Sequence, residues 1–234
     1  MHFPFEHGPT YTIGALRMFE RDLSAARQAD RALSNAWRIP TTPDMKRWGK
    51  IREETYPIKL LADHKGYPDE ATFQLRPVAF PGVDADIDAR GEQFNLQITI
   101  ADPIWGDADA RVQHGGYDNR LLLEALNRQG FVHGSGNFRR DGDQIVCDEP
   151  VKGGSDRADA CRQALVAALT RKAKPKGQTA ARLLIYARGF TVHIVDEGFA
   201  TVAAEAVQKF EQISGQRVPF DAVYFVEERE FAEA

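Results

Sequence analysis

The sequence predicts a mixed α/β fold, with a central mixed sheet of about five strands flanked by helices. Two segments in the first quarter of the chain carry apolar residues at helical spacing, and three later segments alternate apolar and polar residues. The last third alternates helix and strand patterns. Strands that are followed by a helix–strand alternation need at least some parallel pairing, so the predicted sheet is mixed.

The helical patterns before the first strand define the predicted domain organisation. The first covers residues 16–37 and ends before two prolines, and the second covers about residues 44–63. We therefore predict an N-terminal helical appendage, residues 1–43, followed by an α/β core over residues 44–234.

Three alternating segments predict the first strands of the core, at residues 72–76, 83–88 and 93–100. A short connection at residues 89–92 makes the second and third of them a hairpin. The periodicity then loosens, which predicts an insertion at about residues 102–154.

Regular patterns resume after the insertion. Two helices and three strands are predicted, with the helices at 156–174 and 199–214 and the strands at 182–188, 191–195 and 222–226.

Composition limits the classes of function. The 34 acidic and 30 basic residues give a net charge of −4, so general coating of nucleic acid is not expected. No apolar run approaches the roughly 20 residues that span a bilayer, and no export signal is visible at the N-terminus. The two cysteines, Cys147 and Cys161, lack metal-type spacing, and we expect a cytoplasmic protein with reduced thiols.

Polar residues on the predicted hairpin are the first candidate site. Alternate residues of a strand face the same way, so each arm has a polar face: Asp84, Asp86 and Asp88 on one, Asn95, Gln97 and Thr99 on the other. Paired, these faces would gather oxygen ligands of the kind that Mg²⁺ prefers. The plainer interpretation is the solvated face of an antiparallel pair.

The order helix, strand, strand–turn–strand, helix, strand resembles the core of the restriction-endonuclease-like, PD-(D/E)XK, superfamily. That core has an Asp on its second strand, an acidic-x-Lys pair on its third and often a Glu on its first helix. The matching positions here are Asp86, then Asn95-Leu96-Gln97 or the alternative Gln97-Ile98-Thr99, and Glu53 or Glu54.

The resemblance implies metal-dependent phosphodiester hydrolysis, with Mg²⁺ or Mn²⁺ held by Asp86 and Glu54 and with Gln97 near the scissile phosphate. In both alignments an amide stands in place of the metal-binding carboxylate, and Gln97 or Thr99 stands in place of the lysine. The alternative is therefore a catalytically inactive module of the same fold that binds a protein or nucleic-acid partner.

The predicted insertion carries the second candidate site. Glycines flank His114 and His133, which lets backbone approach a ligand, and Arg139 and Arg140 could grip phosphate or carboxylate. In the nuclease hypothesis these arginines hold backbone phosphates. In a third hypothesis His114, His133 and Arg139 serve an enzyme that acts on a small molecule. The Gly-Ser-Gly run is also typical of an ordinary flexible loop.

Overall fold

Nine strands and four helices form the part of the chain that the computed structural model describes, which is residues 3–30, 43–77, 82–101, 138–141, 144–147, 154–173, 182–188, 190 and 198–234. The strands are β1 Thr10–Thr12, β2 Thr72–Leu75, β3 Ala85–Ala89, β4 Glu92–Ala101, β5 Phe138–Asp141, β6 Gln144–Cys147, β7 Arg182–Ala187, β8 Ala222–Val226 and β9 Phe231–Glu233. The helices are α1 Ile13–Ala29, α2 Pro43–His64, α3 Gly154–Lys172 and α4 Phe199–Ser214.

Seven of the strands form one mixed sheet in the order β1-β2-β3-β4-β7-β8-β9. β1 to β4 are antiparallel neighbours, β7 and β8 are parallel, and β9 is antiparallel to β8. The mixed α/β prediction is confirmed, but the sheet has seven strands where about five were predicted. The extra strands β1 and β9 have three residues each, too few for an alternating pattern to be visible in the sequence.

The chain divides into two compact units. The sheet unit comprises Met1–Ile100, Lys172–Tyr186 and Pro219–Ala234, and the second unit comprises Ala101–Arg171 and Ala187–Val218. In the second unit β5 and β6 form an antiparallel hairpin, with Asp141 opposite Gln144. The predicted strand at 191–195 lies outside the described residues.

The core of the sheet unit lies between the sheet and the first two helices. It contains Ile13 and Leu16 from α1, Ile58 and Leu61 from α2, and the alternate apolar residues of the strands. Pro57 is tolerated inside α2, which continues to His64 without a break. Among the described helices none is both long enough and apolar enough to cross a membrane.

The N-terminal segment is part of this core. Phe3 and Phe5 are each 2% exposed, and the Phe5 ring lies 5.1 to 5.8 Å from the rings of Tyr11, Phe19 and Phe73. Gly8 N also donates to Leu75 O at 2.9 Å. Residues predicted as an appendage therefore pack in the same hydrophobic cluster as the strands.

A buried ion pair joins α1 to α2. Glu20, only 6% exposed, accepts from Arg52 Nε at 2.9 Å and from Arg52 Nη2 at 2.8 Å. The Arg52 guanidinium also lies 4.6 Å from the ring centroid of Tyr56. Such a paired geometry fixes the relative position of two helices because an unpaired buried charge would be costly.

Replacing Phe5 tests whether the N-terminal segment is integral to the core. Phe5→Ala should lower the free energy of unfolding by about 3–5 kcal/mol, the usual effect of removing a buried phenyl ring. Urea denaturation measures the loss. Met18→Ala, at a side chain that is 57% exposed, is the control and should change stability by less than ~0.5 kcal/mol. Equal stability of Phe5→Ala and the parent would show a detached segment.

Candidate functional site

The pairing of β3 with β4 brings polar side chains side by side. Asp86 lies opposite Asn95 on β4 and opposite Gln74 on β2, and Asp88 lies opposite Gln93. The apolar residues between them are buried in the core. This is the register that the hairpin prediction required for the two polar faces to meet.

The polar face around Asp86 is an open cleft of about 540 Å³. Five of its eleven lining residues carry hydroxyl or amide side chains, and Gln93 Nε2 donates to Asp88 Oδ2 at 2.7 Å. Asp86, whose side chain is 32% exposed, forms an ion pair with Arg76. The negative charge of Asp86 is therefore offset by a neighbouring guanidinium.

Asp84, immediately before β3, is held more tightly. Its Oδ2 accepts a hydrogen bond from the backbone N–H of Ile98 at 2.6 Å. Its own backbone is fixed on both sides, because Asp84 N donates to Leu96 O at 2.8 Å and Arg76 N donates to Asp84 O at 2.9 Å. The carboxylate thus has a defined position at the end of the β3–β4 pair.

Gln97 belongs to the same end of the pair. Continuing the observed register by one residue beyond the Ala85–Leu96 pair puts Asp84 opposite Gln97. The side-chain oxygen Oε1 of Gln97 is buried, and it has no hydrogen-bond partner among the described residues. A buried oxygen without a donor is unfavourable unless a ligand satisfies it.

Glu54 on α2 is the third side chain of this group. Its Oε2 lies 3.0 Å from Nε2 of His7, with the two side chains 29% and 26% exposed. Burial raises the pKa of Glu54 above its usual value, the hydrogen bond from His7 lowers it in part, and the negative charges of Asp84 and Glu53 raise it further. The negative charge of Asp84 is therefore one of the causes of the raised pKa of Glu54.

Lys172 supplies a positive charge at the same place. Its Nζ, at the C-terminal end of α3, lies 3.6 Å from Oδ2 of Asp84, and its side chain is 24% exposed. We call this group the Asp84 cluster; its members are His7, Glu54, Asp84, Gln97 and Lys172. It combines two carboxylates, an amide oxygen without a partner, an ammonium and an imidazole.

The donor set of this cluster suits a hard divalent cation. Mg²⁺ commonly binds through one or two carboxylates and keeps several waters, and an amide oxygen is an acceptable further ligand. The described residues contain no group of three or more His, Cys, Asp and Glu side chains that could hold a metal ion. The candidate protein ligands for a cation are the carboxylates of Asp84 and Glu54 and the Oε1 atom of Gln97.

The residues predicted from the sequence are only partly brought together. Glu54 and Gln97 belong to the Asp84 cluster. Asp86 is two residues further along the chain and forms an ion pair with Arg76. Arg139 and Arg140 lie on β5 in the second unit, within its separate two-stranded sheet.

His114 and His133 lie outside the described residues, so the second candidate site stays a prediction.

Sequence reasoning did not select His7 or Lys172, and it ranked Asp86 above Asp84. The alternation of the three aspartates pointed to Asp84 as much as to Asp86. Lys172 sits in a basic run at a helix end, a pattern that is usually explained by the helix dipole. His7 gave no signal, because only the folded chain carries the N-terminal segment to α2.

No family model, no curated protein and no solved structure matches this chain.

The raised pKa of Glu54 makes a prediction about stability and pH. The folded protein binds this proton more tightly than the unfolded chain does, so the stabilisation is present below the unfolded value, about 4.3, and is lost as pH rises through the folded value. Glu54→Gln cannot ionise. The free energy of unfolding of Glu54→Gln relative to the parent should therefore increase as pH rises from about 4 towards neutral.

Urea unfolding at a series of pH values measures this difference. Glu230→Gln, which removes an exposed carboxylate from the β8–β9 turn, is the control for the loss of one negative charge. A difference between Glu54→Gln and the parent that does not change with pH would contradict the burial argument.

Proposed function

We propose that the protein is a divergent nuclease-like hydrolase of the PD-(D/E)XK type, which cleaves phosphodiester bonds with Mg²⁺ or Mn²⁺. The observation that carries the proposal is the Asp84 carboxylate, fixed by the Ile98 amide and approached by Lys172 Nζ at 3.6 Å. Asp86 is paired with Arg76 and Asp84 with Lys172, but Asp84 also lies opposite Gln97 and adds to the raised pKa of Glu54. Asp84 therefore takes the role that the resemblance gave to Asp86.

The order of elements supports this proposal. α2 is followed by the antiparallel strands β2, β3 and β4 and, after the β5–β6 hairpin, by α3 and β7. Apart from that hairpin, this is the order of the family core as described above. Within that order Asp84 stands just before the second strand, and Gln97 stands beside it on the third. This favours the alignment in which Gln97-Ile98-Thr99 occupies the acidic-x-Lys positions.

Lys172 compensates for the lysine that the third strand lacks. In the proposed reaction its ammonium stabilises the negative charge that develops on the phosphoryl oxygens. An ammonium from a helix end meets this requirement as well as one from a strand, because the requirement concerns position and charge.

Glu54 is suited to accept a proton. A carboxyl group whose pKa is raised above its usual value is a better general base than an ordinary glutamate. His7, hydrogen-bonded to Oε2, orients the carboxylate and is a positioning residue.

The reaction has a simple balance. The oxygen of a water molecule attacks phosphorus, the bond from phosphorus to the leaving oxygen breaks, Glu54 takes a proton from the water and the leaving oxygen takes one from solvent. When bound, the divalent cation supplies Lewis-acid polarisation of the phosphoryl oxygen and a more acidic water. Asp84 and Gln97 are the residues that would hold it, and Glu54 stays available to take the proton from water.

The second candidate function is a catalytically inactive module of the same fold that binds a protein or nucleic-acid partner. Two observations favour it: the described residues include no group of three metal-ligating acidic, His or Cys side chains, and an amide replaces one carboxylate. Under this hypothesis calorimetry detects no Mn²⁺ binding, and a specific partner is recovered instead.

Cleavage assays with Mg²⁺ and with Mn²⁺ test the nuclease proposal on duplex DNA, single-stranded DNA and RNA. Asp84→Asn and Lys172→Gln should each lower kcat/KM by about 100-fold or more, as the loss of a charged group at the reacting phosphate does. Asp88→Asn removes a carboxylate from the same strand face, four residues away, and should leave kcat/KM within about threefold, as expected of a group away from the reacting phosphate.

The pattern of loss decides between the hypotheses. Cleavage by Asp84→Asn at the parent rate would refute the assignment of the Asp84 cluster. An inactive parent that also binds no Mn²⁺ would refute the nuclease proposal and leave the binding module.

A further inference from the structure

A second cleft, of about 590 Å³, lies between α1 and α2 in the sheet unit. Five cationic side chains line it: Arg17, Arg21, Arg27, Arg52 and Lys59. Three carboxylates line it too, from Glu20, Asp69 and Glu228. Among the side chains that line the cleft, cations outnumber carboxylates by five to three, which favours an anionic ligand.

Three of the five cationic side chains form ion pairs with carboxylates of the sheet unit. Arg17 bonds Asp63 at 2.7 Å and Asp69 at 2.6 Å, and Lys59 contacts Asp63 at 2.8 Å. Arg52 is held by Glu20 in the buried pair that joins the two helices. These contacts shape the wall of the cleft rather than provide free donors.

Arg21 and Arg27 differ from these three. The Arg21 side chain is 72% exposed and contacts the neighbouring Asp22 carboxylate, and such an exposed pair is weak and easily exchanged. Arg27 is half-buried, and its Nε atom is buried without a hydrogen-bond partner. A buried guanidinium N–H without an acceptor is unfavourable, and an oxyanion in the cleft would satisfy it.

The spacing of these residues on α1 suits one ligand. Arg21, Ser24 and Arg27 are three residues apart in turn, and residues three apart are neighbours on a helix surface, with Cβ atoms about 5–6 Å apart. All three line the cleft, so two guanidinium groups and a hydroxyl donor share one stripe. Several donors with a double positive charge match the three oxygens and the charge of a phosphate group.

We propose that the α1–α2 cleft is a phosphate-binding site, in which Arg21, Ser24 and Arg27 hold the oxygens of a phosphate group. The site is distinct from the Asp84 cluster and does not depend on the nuclease proposal. The phosphate belongs either to a small phosphorylated molecule or to the backbone of a nucleic acid.

Titration of the intact protein with inorganic phosphate, followed by amide NMR shifts and by calorimetry at low salt, tests the site. Arg27→Gln should raise the dissociation constant at least ~10-fold, because it removes charged hydrogen bonds to the ligand. Arg21→Gln should weaken binding in the same direction, and its exposed position leaves the fold intact. Arg217→Gln, an exposed arginine beyond α4, is the matched control and should bind as the parent does.

A short single-stranded oligonucleotide distinguishes the two sources of phosphate. Binding that is tighter than that of inorganic phosphate, steeper in its salt dependence and lost in Arg27→Gln would identify a nucleic-acid backbone. Binding of inorganic phosphate alone would identify a small phosphorylated ligand. Asp84→Asn should bind phosphate normally, which separates this site from the proposed catalytic one.

No shift with phosphate in the parent, or equal affinities in the parent, Arg27→Gln and Arg21→Gln, would overturn the proposal.

Discussion

The register between β3 and β4 is the constraint on which the proposed chemistry depends. Burial of alternate residues fixes it, because Ala85, Ile87 and Leu96 are each 0–3% exposed and a slip of one residue would turn them out of the core. The same register aims the Ile98 amide at the Asp84 carboxylate and sets Gln97 beside it. The polar side chains at this point are therefore positioned by the packing of the apolar ones.

Electrostatics at the Asp84 cluster follow from what surrounds the strands. α2 brings Glu54 to a partly buried position where a second carboxylate is close, and the N-terminal segment brings His7 to hydrogen-bond it. α3 ends at Lys172, whose ammonium offsets part of the negative charge. Two partly buried acids with one cation beside them are what the proposed binding of a divalent cation requires.

The elements with strong apolar periodicity were predictable from the sequence. Very short elements, which form through contacts with distant parts of the chain, were not. α4 was predicted at 199–214 and is observed there, and the alternating run of β4 was predicted within one residue at each end. β1 and β9 form because they pair with β2 and β8. A segment of three residues is too short to show the alternation from which a strand is predicted. The same holds for the candidate site. Its hairpin was predictable from the sequence, whereas the choice of Asp84 over Asp86 depends on where Lys172 and α2 lie in the folded chain.

Titration of the Glu54 carboxyl group by ¹³C NMR, in the parent and in Asp84→Asn, is the most direct measurement of the central claim. If the two carboxylates share one site, the pKa of Glu54 lies above that of an ordinary glutamate in the parent and falls when Asp84 loses its charge. An ordinary pKa for Glu54 in the parent, or one that Asp84→Asn leaves unchanged, would contradict the existence of the Asp84 cluster.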